Sequence, residues 1–365
     1  MLYNRHEDIF EKIDFEDDNI YMEPLLFSYV FQDNNKWLDS IIYGYMKEKP
    51  ESILVFSNRN GIVYLPLVGY FYTDLKSAEF TLRCKDGEYI LLSNNGPINY
   101  KFAPIYYLEF GVELLLSLHP LFEPLFTEQN VAIQDIDVEN VWEKYIPELN
   151  EGLKIVSNTN PDFFDNLKKN LKKILLFDGA APYPFAGMKA HNMVFLNVRN
   201  QGRKLFFADR VSHEGGHVLF FSLTYESKYN LFKCPPETPF SQITQNGKDH
   251  GLIYLRFHGL FTYLSILSWL LQYPLKYKDN KKEMHEIKGR TLFHFSRFET
   301  LLDKFLVLDI FEEEGQRWMK IFRDFLDRNR TTYQELSKLY SIEEQPYDFE
   351  YGKFKQLNPI DKYEE

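Results

Sequence analysis

Cysteine is almost missing from this chain. Among 365 residues there are two, Cys84 and Cys234, far apart and in no C-x-x-C arrangement. That excludes a disulfide framework and a thiolate zinc site, and it fits a reducing cytosol. Basic charge is also scarce. Forty-two Lys and Arg face 53 Asp and Glu, giving a formal net charge of -11. The deficit argues against nucleic acid as a general partner. The first residues, MLYNRHEDIFEKIDFEDDN, are acidic and polar and lack the apolar core of a secretory signal, so a cytoplasmic location is expected. No long hydrophobic run is free of charge. The best candidate, GLIYLRFHGLFTYLSILSWLLQY (251–273), contains Arg256 and His258. A charged arginine is expensive in lipid, so the run reads as a buried helix and no membrane partner is expected.

Aromatic residues are plentiful, with 33 Phe and 25 Tyr, enough for a sizeable core in one large or two closely joined domains. Residues 1 to about 50 read as helices. From about 52 to 110, runs rich in β-branched and aromatic residues are separated by turn signals at Asn60-Gly61, Asp86-Gly87 and Asn95-Gly96, which predicts a small antiparallel sheet. Helical periodicity returns from 111 to about 176, and LKKNLKKILL (167–176) reads as a solvated face of an amphipathic helix. YPFAG (183–187) is a loop, MVFLNV (193–198) a strand and 226–250 a long loop. Two or three helices and an acidic tail from about 343 complete the chain. The expected fold is α+β and mostly helical, with the small sheet in the N-terminal half. The expected divisions are a mixed region at 1–125, a helical catalytic region at 126–342 and the tail at 343–365.

One stretch carries chemistry. DRVSHEGGHVLFF (209–221) contains His213, Glu214 and His217 in the order H-E-x-x-H. On a helix, positions i and i+4 lie on one face, so His213 and His217 can aim at one metal ion. Glu214 adjoins the first ligand, within reach of a metal-bound water. The flanking residues are apolar, and burying two histidines and a glutamate without partners is costly; a metal resolves that cost. Gly215 and Gly216 each cost about 1 kcal/mol against Ala in a helix. The pair suggests that a substrate, a cosubstrate or a neighbouring helix approaches the backbone closely.

A catalytic metal with open positions usually takes three protein ligands. The metzincin pattern fails, because Phe220 and Leu223 stand where it needs glycine and histidine. A later helical glutamate is not convincing either. Glu237 lies in CPPETPF, and Glu283 and Glu286 lie in a charged run. His258, in the apolar run RFHGLFTYLSILSW, is the best third ligand, ahead of the loop residue His250. The metal helix is therefore expected to pack on a second, His258-bearing helix. A three-histidine site suits iron(II) or zinc, and the ligands alone do not separate them.

The order of these segments resembles the H-E-x-x-H-type peptide β-hydroxylases of ribosomal peptide natural-product biosynthesis. A strand, AHNMVFLNV, leads to ADRVSHEGGH, and a loop then leads to HGLFTYLSILSW. The likeness covers roughly residues 190–275. Its recurring positions match His258, Gly259, Tyr263 and Trp269. It implies a cytoplasmic iron(II)- and 2-oxoglutarate-dependent dioxygenase that uses O2 to hydroxylate the β-carbon of residues in a precursor peptide. The chain differs from the family where an arginine-proline segment precedes the histidine-glycine pair; here the residues are KDHGLIYLRFHG. A cation is needed for the distal carboxylate of 2-oxoglutarate, and arginine suits it by its fork geometry. Arg256 is the first candidate, with Arg290 and Arg297 behind it. The competing reading is a zinc peptidase with Glu214 as general base. A scaffold with a structural metal is a third. The oligomeric state is open.

Overall fold

The computed structural model describes residues 6–360 except 7, 15, 33, 34, 86, 200, 278 and 279. Asp86 of the expected Asp86-Gly87 turn and residues 361–365 of the expected tail lie outside these. The fold is α+β and mostly helical, as the sequence predicts, with small antiparallel sheets in the N-terminal half. The chain divides into two units.

The first unit takes residues 1–150 and 168–203. Its helices are short: α1 (Ile9–Lys12), α2 (Asp18–Tyr21), α3 (Pro24–Val30), α4 (Leu38–Ile42) and α5 (Glu123–Thr127). One antiparallel sheet joins β1 (Ser52–Phe56), β4 (Glu79–Lys85), β5 (Glu88–Ser93) and β6 (Gly96–Pro97) in the order β1-β4-β5-β6. A second joins β2 (Ile62–Leu65), β3 (Gly69–Tyr72) and β7 (Lys101–Ala103). Gly87 sits at φ +83 in the two-residue connection of β4 to β5, a conformation that costs glycine nothing.

The third sheet departs from the sequence reading. β8 (Tyr106–Tyr107), β9 (Glu113–Leu115), β10 (Lys173–Phe177) and β11 (Met193–Asn197) lie in the order β11-β10-β9-β8, and β9, β10 and β11 are parallel. The helical reading of 111–176 is therefore wrong at both ends. β9 to β11 are buried at every residue, so they show no alternation, and a short apolar run of this kind does not distinguish strand from helix.

LKKNLKKILL is corrected in the same way. Its helix ends at Asn170, and Lys173 is a buried strand residue. The Lys173 ammonium donates to the Tyr64 hydroxyl at 2.8 Å and pairs with Glu23 at 3.1 Å and with Glu113. Burial alone would pull the Lys173 pKa down, but the two carboxylates outweigh it and hold it above its ordinary value. A buried lysine needs such partners, and both lie far away in sequence.

The second unit takes residues 151–167 and 204–365. Its helices are the end of α6 (Trp142–Thr159), most of α7 (Pro161–Asn170), α8 (Lys204–Thr224), α9 (Phe240–Thr244), α10 (Ile253–Lys276), α11 (Lys281–Leu306), α12 (Glu313–Leu339) and α13 (Tyr351–Leu357). α10 packs on both α8 and α11. Gly216 explains the first contact. A Cβ there would stand 3.3 Å from the Thr262 Cα and 3.0 Å from the Ser265 Oγ, both on α10. Among the described residues no helix is long and apolar enough to cross a membrane. The 226–250 connection holds a 3-10 turn at Lys228–Asn230 and the short α9.

The acidic, turn-rich tail is anchored by its aromatic residues. Phe349, Tyr351 and Phe354 are buried in one cluster with Leu292, Phe293 and Tyr340. Gly289 on α11 makes room for the Phe354 ring, which would lie 2.6 Å from a Cβ. Apolar residues spaced among charges concealed this segment from a reading based on composition.

Candidate metal centre

α8 is buried on nearly every side, which a helix in the interior of a bundle requires. It presents His213 and His217 one turn apart, with ring centroids 5.1 Å apart. The potential ligand atoms of His213, Glu214 and His217 all lie within 4.8 Å of one another. His258 comes from α10, as the sequence predicts. Its Nε2 is 2.9 Å from the His217 Nδ1, and the two rings are edge-on at 4.2 Å. Two imidazole nitrogens about 2.1 Å from a shared ion and at right angles stand about 3 Å apart, so this spacing suits a common ion. His258 is completely buried, stacked on Phe220 at 4.7 Å and against Phe221 at 4.5 Å.

The electrostatics suit a cation. Burial pushes the His217 pKa down to about 4. Burial, with neighbouring imidazoles next, holds His213 and His258 well below the ordinary histidine range. Three neutral imidazoles are a donor set for iron or zinc. The His213 Nδ1 is buried with no hydrogen-bond partner, the mark of a ring arranged for more than packing. Glu214 is buried, and burial raises its pKa to about 8 against the opposing pull of Arg210. His213, Glu214 and His217 fit a bound divalent ion, and His258 reaches the cluster through His217.

The remaining candidates separate clearly. His250 is an exposed loop residue whose carbonyl accepts from the Arg256 Nε at 2.6 Å. Glu237 is exposed, Glu283 accepts from Tyr273 at 2.8 Å, and Glu286 binds Arg290 at 2.7 Å. Arg290 is buried between Glu286 and Asp209 and points its guanidinium at them. Arg256 and Arg297 line one cavity of about 250 Å3, together with Lys304, Asp249 and Tyr263. The Tyr263 ring stands edge-on to His213 at 6.2 Å, so this cavity shares a wall with the imidazole cluster.

Sequence reasoning missed a buried charge network beside the centre. Asp209, one turn before His213, accepts from the His294 Nε2 and the Arg290 guanidinium, each at 2.8 Å. Arg210 pairs with Asp348 at 2.9 Å, tying α8 to the C-terminal segment. Arg297 donates to the Pro346 carbonyl at 3.0 Å and stacks over Tyr347. The available signal was the charged pair Asp209-Arg210 inside an otherwise apolar helix. Compared with models of protein families and with characterised proteins, the chain matches none.

Proposed function

We propose that this chain is an iron(II)- and 2-oxoglutarate-dependent oxygenase that hydroxylates the β-carbon of residues in a ribosomally made precursor peptide. One observation carries the reading. His213, Glu214 and His217 cluster their ligand atoms, His258 adjoins them through His217 at 2.9 Å, and Tyr263 links His213 to a cavity lined by Arg256 and Arg297.

The chemistry that iron(II), 2-oxoglutarate and O2 supply together is oxidation of a C–H bond, with succinate and carbon dioxide as co-products. The chain's own residues bind, orient and exclude water. His213, His217 and His258 would hold the ion, which would keep positions for the cosubstrate and O2. Arg256, assisted by Arg297 and Lys304, offers donors to the distal carboxylate of the cosubstrate. Phe220 and Phe221 cover His258 and keep water from it. Glu214, buried among the ligand atoms, would stand beside the ion or a water bound to it.

A second reading, a zinc peptidase, is favoured by the position of Glu214 among the ligand atoms. A general base there takes a proton from metal-bound water. One experiment separates the two. The purified chain is incubated with a candidate precursor peptide, iron(II), 2-oxoglutarate and O2, and in parallel with zinc alone. The oxygenase forms succinate and adds one oxygen atom to an intact peptide. Two fragments whose masses sum to peptide plus water, formed with zinc alone, establish the peptidase instead.

A further inference from the structure

We infer that Asp209 is a positioning residue of the metal centre: its Oδ1 accepts the Nδ1–H of His213 when that imidazole binds an ion through Nε2. The inference rests on the metal-binding part of the proposed function. It starts from two buried atoms that lack partners. The His213 Nδ1 has no hydrogen bond, and neither has the Asp209 Oδ1. Both belong to α8, and positions four apart share a helix face. No hydrogen bond joins them in this structure, so the His213 ring must turn for one to satisfy both atoms, and buried polar atoms are rarely left unsatisfied.

The acceptor is rigid. The Asp209 Oδ2 is already taken by the His294 Nε2 and the Arg290 NH1, each at 2.8 Å. Arg290 is itself fixed by two hydrogen bonds to Glu286, at 3.0 and 2.7 Å. The Arg210 guanidinium lies 3.1 Å from Oδ1 but makes no hydrogen bond to it. Asp209 thus has one oxygen ion-paired to Arg210 but without a hydrogen bond, while the other is clamped. A metal-ligating histidine generally donates its second ring N–H to a carboxylate or carbonyl, which fixes the tautomer and the ring's aim. Among the described residues, Asp209 is the carboxylate that the helix itself places one turn from His213.

The bland alternative is that Asp209 only neutralises Arg210 and Arg290. Zinc is the probe that distinguishes them, in the full chain, with affinity measured by chelator competition. Asp209→Asn keeps the shape but has one oxygen, which His294 and Arg290 claim, so its NH2 faces His213. Its zinc affinity should fall about ten- to a hundredfold. His294→Gln perturbs the same network but leaves Oδ1 in place, and should bind zinc nearly as wild type does. NMR of the zinc-loaded wild type should show the His213 Nδ1 proton shifted downfield by a hydrogen bond to a carboxylate, a shift that zinc ligation through Nε2 alone does not produce. Unchanged zinc affinity in Asp209→Asn, or an equal loss in His294→Gln, overturns the assignment. If Asp209→Asn does not fold, the wild-type spectrum decides, and a His213 Nδ1 proton without the downfield shift of a carboxylate hydrogen bond overturns it. A wild type that binds no zinc overturns the metal centre itself as well as this assignment.

Discussion

Adding one methyl group to each of the two adjacent glycines of α8 should have unequal effects. Alanine in place of glycine in a helix interior is worth about 1 kcal/mol by propensity alone. At Gly215 the new Cβ would lie 2.5 Å from the Leu167 Cδ1, the far end of a flexible side chain. Leu167 can turn aside at roughly 0.5–1.5 kcal/mol, so Gly215→Ala should lie within about 0.5 kcal/mol of wild type. At Gly216 the neighbours are the Thr262 Cα at 3.3 Å and the Ser265 Oγ at 3.0 Å, and that hydroxyl is committed to the Phe261 carbonyl. Backbone cannot turn aside, so α8 and α10 must separate, at the roughly 1–3 kcal/mol typical of overpacking. Gly216→Ala should therefore be about 1 kcal/mol less stable than Gly215→Ala. It should also bind zinc more weakly, because the same separation moves His258 away from His217. Urea denaturation and chelator competition measure both effects. A Gly216→Ala variant at least as stable as Gly215→Ala, with wild-type zinc affinity, refutes the claim that close helix approach sets the centre.

Three further outcomes are expected. His258→Ala should lose metal while its circular dichroism persists; retained metal content with a lowered melting temperature identifies His258 as a core residue only. Lys173→Met leaves Glu23 and Glu113 buried without their cation and should cost about 3–5 kcal/mol in chemical denaturation, and a loss below about 1 kcal/mol contradicts the buried triad. His119 is buried, its Nδ1 accepts from the Leu121 amide at 3.1 Å, and burial, with Lys173 next, lowers its pKa to about 3. Its contribution is complete above the unfolded-state value near 6.5 and is lost as pH falls toward 3, at up to about 1.4 kcal/mol per pH unit. His119→Asn keeps an acceptor but does not titrate, so its stability should fall less steeply over that range; an identical slope refutes the assignment.

Legibility in the sequence followed the range of the signal. The H-E-x-x-H helix, the strand before it and the second histidine helix were readable because their spacing and apolar content are local. Helix spacing alone put His213 and His217 on one face. His258 was singled out because two helical histidines call for a third ligand and it was the best buried candidate. The parallel sheet was not readable, since β9 and β10 are separated by nearly sixty residues and neither alternates. Lys173 was misread for a related reason, because its two carboxylate partners come from distant segments. Asp209, His294, Arg290 and Asp348 meet through three separate stretches of chain, so only packing brings them together.

The central claim is that His213, His217 and His258 hold one ion that recruits 2-oxoglutarate beside Arg256. Anaerobic calorimetry tests it most directly: iron(II) is titrated into the wild type, then 2-oxoglutarate into the iron-loaded protein, and both steps are repeated with His213→Ala and Arg256→Ala. The account predicts one ion per chain and cosubstrate binding that requires the ion. It also predicts no ion in His213→Ala, and an ion but weakened 2-oxoglutarate binding in Arg256→Ala. Iron bound equally by His213→Ala, or no 2-oxoglutarate binding to the iron-loaded wild type, would contradict it.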